Sequence, residues 1–178
     1  MITDYIKELV KSECNKTQNE LGSAFFEQHI LLVKDYACRL ADILGADKEI
    51  VELSSYLHDI SAVIDISTLS NHSDVSAEVA ESILKGKLLD SEKIEIIKNV
   101  IRFHSSPIKI GEGTLEEVCV SNADAISLIV NPSYWLYFAF SIKKMGYQQG
   151  TEWYKQKVRT NTDALIQQAK DMIGDVIL

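Results

Sequence analysis

The sequence predicts an all-α protein, and three observations support that prediction. Apolar residues recur with helical spacing along most of the chain, as at Ile2, Ile6, Leu9 and Val10 near its start. No stretch alternates between apolar and polar residues for long enough to indicate a sheet. Only two prolines and eight glycines occur in 178 residues, so long uninterrupted helices are expected. The length suits a single domain over residues 1–178.

Helix-capping residues mark where the predicted helices begin and end. Gly45 ends the second helix, Asp47 caps the third, and Thr114 with Glu117 forms a capping box further along. Residues 60–72 are polar and poorly periodic, so we expect a loop there with about one helical turn. Helices are expected at about 2–14, 23–44, 47–58, 74–84, 91–101, 114–130, 133–145 and 151–173.

The charge balance argues against a polymeric nucleic acid as partner. Lys and Arg number 18 while Asp and Glu number 26, which gives a formal net charge of −8. Proteins that bind a phosphate backbone usually present a basic face instead. We therefore expect neither DNA nor RNA as a ligand.

The apolar and cysteine patterns indicate a protein of the cytoplasm. Asn131, Pro132 and Ser133 interrupt the most apolar stretch, so no membrane span is expected. The N-terminus lacks the basic start and apolar run of a secretory signal. The three cysteines are odd in number, lie far apart and form no CxxC pair, which disfavours disulfides and a thiolate zinc site.

Three of the four histidines lie on core-facing helical positions, and two aspartates accompany them. His29, His58 and His104 follow apolar residues at three-, four- or seven-residue spacing. Asp59 follows His58 directly, and Asp124 lies inside an apolar helix. A single buried histidine is usually a hydrogen-bonded core residue, which is the alternative for each of them. A metal ion would stabilise the whole group, and nitrogen and oxygen ligands suit Mn, Fe, Co, Ni or Zn.

Five sequence segments together resemble a known family. They are FEQHILLVKDYACRLADILG, VELSSYLHDI, NHSDVSAEVAESIL, VIRFHSS and SNADAISLI. In this order they resemble the HD-domain superfamily of metal-dependent phosphohydrolases, whose pattern is H…HD…H…H…D. The resemblance implies a helical bundle of the HD-domain type with its metal-binding core at about 23–130. The helices of 133–178 would then pack on that core.

The resemblance also implies a ligand set and a reaction. His29, His58, Asp59 and Asp124 would hold a first metal, and Asp59 would bridge to a second. His72, which could instead be a solvated loop residue, and His104 would complete the second site. The cofactor would be one or two divalent transition metal ions, with Asp59 orienting the nucleophilic water. The implied reaction is hydrolysis of a phosphate monoester or diester in a small molecule such as a nucleotide.

The chain departs from the family pattern where relatives often carry cations. Leu32 stands where many have Arg, and no Lys follows the His58-Asp59 pair. Arg102 and Lys109 are candidate replacements for binding substrate, with a surface charge as the alternative for both. The departures leave open a catalytically weak or inactive module that binds metal and nucleotide. A helical interaction domain with merely buried histidines is a further alternative.

Aromatic residues are concentrated after Asn131. Such a cluster could stack a nucleotide base, although core packing or a homodimer contact is the commoner role. The residues in question are Tyr134, Trp135, Tyr137, Phe138, Phe140, Trp153 and Tyr154.

Overall fold

A computed structural model describes residues 1–87 and 89–174, and within these ranges every regular element is helical. The predicted all-α class is confirmed. Two short π-helical turns, Phe26–Ile30 and Phe138–Ile142, and one 3₁₀ turn, Ile66–Ser70, accompany ten α-helices in the described ranges. The helices are α1 (Ile2–Cys14), α2 (Leu31–Leu44), α3 (Lys48–Leu57), α4 (Ile60–Ile64), α5 (His72–Lys85), α6 (Ser91–Arg102), α7 (Leu115–Val130), α8 (Pro132–Tyr137), α9 (Tyr147–Ala164) and α10 (Gln167–Ile173).

The predicted capping residues act as expected. Gly45 adopts a left-handed conformation with φ of 79° after α2. The side chain of Asp47 accepts hydrogen bonds from the backbone N–H groups of Glu49 and Ile50 at the start of α3. Thr114 and Glu117 form the predicted capping box of α7. Local sequence therefore determines where these helices begin and end.

The interpretation of residues 60–72 as mainly loop was wrong. Helix α4 and the 3₁₀ turn occupy most of this segment. Helices this short are not stable alone, so tertiary contacts must hold them. Ile60, Ala62 and Val63 are buried, and the Ser61 N–H and hydroxyl bond to the Ser76 hydroxyl and the His72 carbonyl of α5.

The last predicted helix, 151–173, is also different in the structure. Helix α9 already begins at Tyr147 and ends at Ala164, and α10 follows after a break. The N–H of Ile166 donates to Asn122 Oδ1 of α7 at 3.0 Å instead of continuing the helix. Of the predicted C-terminal region 133–178, residues 175–178 lie outside the described residues.

Helix α7 lies at the centre and α2 packs along it, with α3, α6, α9 and α10 also in contact. Most side chains of α7 are buried, which explains its weak amphipathic pattern. Helix α9 approaches the second π-helical turn closely, because a Cβ on Gly150 would lie 2.5 Å from the ring of Phe140. Helices α9 and α10 also contact α7 directly.

Among the described residues, no single helix is long and apolar enough to cross a membrane. Leu115–Val130 and Pro132–Ile142 reach that length and apolarity only together, and an 80° bend separates them.

Candidate metal centre

The histidines and aspartates predicted as ligands converge at one place, although each comes from a different part of the fold. Most of them lie at or beside the end of a helix, where the backbone turns. In chain order they are His29 in the first π-helical turn, His58 and Asp59 between α3 and α4, His72 at the start of α5, His104 after α6, and Asp124 within α7.

We call His29, His58 and Asp124, with one oxygen of Asp59, the first group. The Nε2 atoms of His29 and His58 lie 2.9 Å apart. Asp59 Oδ2 lies 3.2 Å from His29 Nε2 and 3.3 Å from His58 Nε2. Asp124 Oδ1 lies 3.4 Å from His29 Nε2. Both histidines are completely buried.

The second group comprises His72, His104 and the other oxygen of Asp59. The two Nε2 atoms lie 3.2 Å apart. Asp59 Oδ1 lies 3.2 Å from His72 Nε2 and 3.5 Å from His104 Nε2. Asp59 thus directs one oxygen to each group, which is the arrangement expected of a ligand that bridges two ions.

Three histidine rings are oriented by the same kind of hydrogen bond to the local backbone. The Nδ1 atoms of His58, His72 and His104 each contact the carbonyl oxygen three residues earlier, at 2.8, 2.9 and 2.6 Å respectively. These carbonyls belong to the last turns of α3, the 3₁₀ turn and α6, where helical partners are lacking. Because a carbonyl can only accept, Nδ1 carries a proton in each ring, so that each ring, once neutral, presents the lone pair of Nε2.

The ring of His29 is oriented by a hydrogen bond to a side chain instead of a backbone carbonyl. Its Nδ1 lies 2.9 Å from the Ser127 hydroxyl, which itself donates to the Asp124 carbonyl. The hydroxyl therefore accepts from His29 Nδ1–H, and Nε2 of His29 also presents its lone pair. Hydrogen bonds of this kind orient the histidine ligands of metal ions.

The donor atoms fit divalent metal ions. In both groups imidazole Nε2 atoms and carboxylate oxygens face one another, and Asp59 Oδ1 is buried without a hydrogen-bond partner in the described structure. Such an arrangement is unfavourable unless a cation or proton compensates it. Ligand atoms about 2.1 Å from one octahedral ion lie about 3 Å from each other, close to the separations within each group. Two clusters with this geometry are formed, one by His29, His58 and Asp59 and the other by Asp59, His72 and His104.

The pKa values of the metal-free groups also indicate that positive charge stabilises the cluster. Burial alone lowers the pKa of His58, but the carboxylates of Asp59 and Asp124 outweigh it and raise that pKa to about 9. Burial alone raises the pKa of Asp59, yet the charge of His58 and the adjacent His104 and His29 rings hold it well below its ordinary value. Asp59 therefore stays ionised at neutral pH.

A pocket of about 310 Å³ opens onto the cluster. Asp59, His72, His104 and Asp124 lie on its floor, whereas His29 and His58 lie behind them and do not line it. Its walls are mostly apolar and aromatic, with polar side chains towards the C-terminal helices. The wall residues are Leu21, Phe25, Leu69, Ser105, Leu128, Trp135, Phe138, Lys143, Trp153, Lys157 and Asn161.

The predicted substrate-binding residues Arg102 and Lys109 do not line this pocket, which corrects that placement. Arg102 forms ion pairs with Asp74 and Glu78 of α5, at 3.2 and 3.1 Å. The ammonium group of Lys109 donates to the carbonyl oxygens of Ala164 and, at 3.2 Å, Leu165. It thereby caps the C-terminus of α9, where the last carbonyls lack helical partners.

The cations in the pocket are instead Lys143 and Lys157, which sequence reasoning missed. Both lie after the segments that carried the family resemblance. The available signal was their spacing from aromatic residues: Lys157 stands four residues after Trp153, and Lys143 stands five residues after Phe138. These residues, with Trp135, line the same wall of the pocket.

Three comparisons with known proteins bear on the family and the fold of this chain. The family model of the HD domain matches residues 26–129, more than half of the chain. Ribonuclease Y from Petrotoga mobilis is 27% identical over 100 residues, which cover 56% of this chain but 17% of that relative's length. The crystal structure of a "predicted HD superfamily hydrolase" from an uncultured Thermotogales bacterium is similar, with a TM-score of 0.61 and 17% identity. It covers 96% of this chain and 92% of the other, so the two share a fold over nearly their full length.

Proposed function

The chain belongs to the HD domain family, and on that premise we propose that it is a metal-dependent phosphohydrolase. Its substrate would be a phosphate monoester or diester of a small molecule. The observation that carries the proposal is the position of Asp59, whose two oxygens face two separate pairs of histidines. A purely structural role for these four histidines would not require four Nε2 atoms to face two carboxylates.

The proposed cofactor is one or two divalent transition metal ions. His29, His58, Asp59 and Asp124 would hold the first ion, while Asp59, His72 and His104 would hold the second. When bound, such ions supply Lewis acidity that lowers the pKa of water and offsets negative charge on phosphoryl oxygens. Six donor residues on helix ends and packed helices hold the site in place, so little reorganisation is needed.

The protein's own groups have separate tasks in this mechanism. The anchored Nδ1 protons keep the histidine rings oriented, and the low pKa of Asp59 keeps its carboxylate ionised to accept hydrogen bonds from the attacking water. The apolar walls of the pocket exclude other water and surround the organic part of a substrate. A volume of about 310 Å³ favours a small molecule over a polymer.

A second candidate is a regulatory module that binds metal and ligand without turnover. It is favoured by the positions of Arg102 and Lys109, which are engaged elsewhere and cannot replace the cations missing at Leu32 and after Asp59. This module would keep the donor set and the pocket but leave every phosphate ester intact.

The test combines metal analysis with turnover. Purified protein is loaded with Mn²⁺, Fe²⁺, Co²⁺, Ni²⁺ or Zn²⁺, and p-nitrophenyl phosphate and bis(p-nitrophenyl) phosphate serve as monoester and diester. We expect bound metal and metal-dependent release of nitrophenol, lost in Asp59→Asn but kept in the exposed control Asp35→Asn. Bound metal without turnover of either ester would favour the regulatory module, and absence of bound metal would refute both.

A further inference from the structure

The pocket has two walls of different origin. The floor and part of the wall come from residues inside the segment that matches the HD domain, 26–129, while Leu21 and Phe25 of the wall precede it. The rest of the wall comes from α8, the second π-helical turn with the adjoining Lys143, and α9, which follow that segment. We call it the C-terminal wall; its residues are Trp135, Phe138, Lys143, Trp153, Lys157 and Asn161.

Within the part of the chain that the structure describes, two lysines of the C-terminal wall have no carboxylate partner. Lys143 and Lys157 form no ion pair with any residue in 1–87 or 89–174. Other cations are clearly engaged; Lys98, for example, lies 2.5 Å from Glu81. Lys143 does lie near the ring of Phe138, 5.9 Å from its centroid. Both side chains are exposed and line the same pocket as Asp59 and Asp124, so they are available to an anionic ligand that enters it.

The two lysines can offset electrostatic repulsion between the pocket and an anionic substrate, which the carboxylate ligands cannot do. Asp59 and Asp124 line the pocket floor and would repel a phosphate ester. Bound metal ions offset this repulsion at the floor, and the lysines offset it at the wall. An ammonium group within the pocket also binds phosphoryl oxygens through charge-assisted hydrogen bonds.

The aromatic residues of the same wall form a continuous surface. The rings of Phe138 and Trp153 stack with centroids 6.0 Å apart, and Trp135 meets Phe138 edge-on at 5.3 Å. Trp153 also lines a neighbouring open groove of about 620 Å³, together with Lys157 and Asn161. Trp153 is partly exposed and is therefore available to a planar group that enters between the pocket and the groove.

We propose that the C-terminal wall determines substrate choice, with Lys143 and Lys157 binding the phosphate and Trp153 stacking on a planar ring of the substrate. The substrate class is thus an organic phosphate that carries a planar ring system. The inference rests on the proposed function only for the reaction, since binding to this wall does not require turnover.

Binding can be measured on the metal-free protein through its own fluorescence. The chain has two tryptophans, Trp135 and Trp153, and both line the pocket. Adenosine 5′-monophosphate is the probe, ribose 5-phosphate is the matched ligand without a ring, and adenosine is the matched ligand without phosphate. We expect saturable quenching by the nucleotide and about tenfold weaker binding of either fragment. Equal affinity for the nucleotide and ribose 5-phosphate would overturn the stacking role.

Matched variants test the lysines and the tryptophan separately. Lys143→Ala and Lys157→Ala should each weaken nucleotide binding by about five- to tenfold. Their neighbours Lys144→Ala and Lys155→Ala, which do not line the pocket, should leave binding unchanged. Trp153→Leu should remove the preference for the nucleotide over ribose 5-phosphate, with Trp135 as the remaining reporter. Unchanged binding in both pocket lysine variants would overturn their assignment.

Turnover of the metal-loaded protein separates this inference from the proposed function. If adenosine 5′-monophosphate is hydrolysed with the same KM by Lys143→Ala, Lys157→Ala and the unsubstituted protein, the role of the wall is refuted. The proposed phosphohydrolase activity is then still supported. Binding in the expected order without hydrolysis under any metal would support the wall's role and refute the phosphohydrolase.

Discussion

The two histidine groups share Asp59 but lie in different surroundings. His29 and His58 are completely buried between the central helices and lie behind the pocket. His72 begins α5, its side chain is 23% exposed, and it lines the pocket with His104. The first group also has a second carboxylate, Asp124, whereas the second group has only its share of Asp59.

This difference indicates that the two groups bind their ions with different affinity. A closed site with more protein ligands binds an ion tightly, while a site with fewer ligands keeps positions open for water or substrate. We therefore expect the first group to hold the tighter ion and the second to exchange its ion more readily.

The largest effect is expected from Asp59→Asn, because it removes the charge that both groups share. Metal affinity of both should fall by more than about 100-fold, beyond the loss typical of an outer hydrogen-bond partner. Inductively coupled plasma mass spectrometry after dialysis measures the metal content. Retention of two ions per chain would show that Asp59 does not join the groups.

Substitution of one histidine in each group should reveal the asymmetry directly. His72→Gln is expected to retain one tightly bound ion, because the first group remains whole. His29→Gln should lose the tighter ion and bind the other more weakly. Equilibrium dialysis gives the stoichiometry, and circular dichroism checks that each variant is folded. Equal losses in the two variants would contradict the asymmetry.

The pH dependence of metal binding should be dominated by the first group. The pKa of His58, raised to about 9, means that this ring is protonated at neutral pH without metal and must release its proton to bind an ion. Metal affinity should therefore rise from pH 6.5 to 9 and then level off. Calorimetry in buffers of different ionisation enthalpy measures the released proton; no release at pH 7 would contradict this expectation.

The same shift predicts the opposite trend for stability of the metal-free protein. A folded-state pKa above the unfolded value stabilises the fold fully below about pH 6.5, and this contribution is lost as pH rises through about 9. The lowered pKa of Asp59 adds stability above about pH 4 that is lost as pH falls. Thermal denaturation with a chelator present should therefore give the highest Tm between about pH 4 and about pH 6.5, where both contributions are present.

The smallest effect is expected from Ser127→Ala, which removes the hydrogen-bond partner of His29 Nδ1. Affinity for the tighter ion should fall by about tenfold, while the second group is unaffected. Ser121→Ala on the same helix is the matched control: its hydroxyl accepts from the Ile108 N–H away from the site. The control should lower Tm without changing metal affinity, and an equal loss of affinity in both would indicate general destabilisation.

Much of the fold and of the cluster follows from local sequence. Helical periodicity predicts the main helices, and Asp47, Thr114 and Gly45 act as caps because a cap needs only its own neighbouring backbone. The clustering of His29, His58 and His104 was foreseeable because buried imidazoles on several core faces must meet in one small interior. Their role as metal ligands, with that of His72 and Asp124, stays a prediction.

Other features could not be read from the sequence. The helical structure at 60–70 depends on burial of Ile60 and Val63 and on the bonds of Ser61 to α5. The break after Ala164 depends on Asn122 of α7 and on Lys109, which are distant in the chain. In each case a short or polar segment takes its conformation from partners that its own residues do not identify.

The sequence by itself determined the helical class, the helix ends and the supply of histidines and aspartates that can bind metal, because periodicity, caps and residue chemistry are local properties. Only the tertiary structure decided which cations border the pocket. Arg102 and Lys109, near His104 in sequence, are held by Asp74, Glu78 and the end of α9. Lys157 reaches the pocket because α9 packs against α7, and Lys143 reaches it from the end of the second π-helical turn, before α9 begins. The energy of such packing is distributed over residues far apart in the chain.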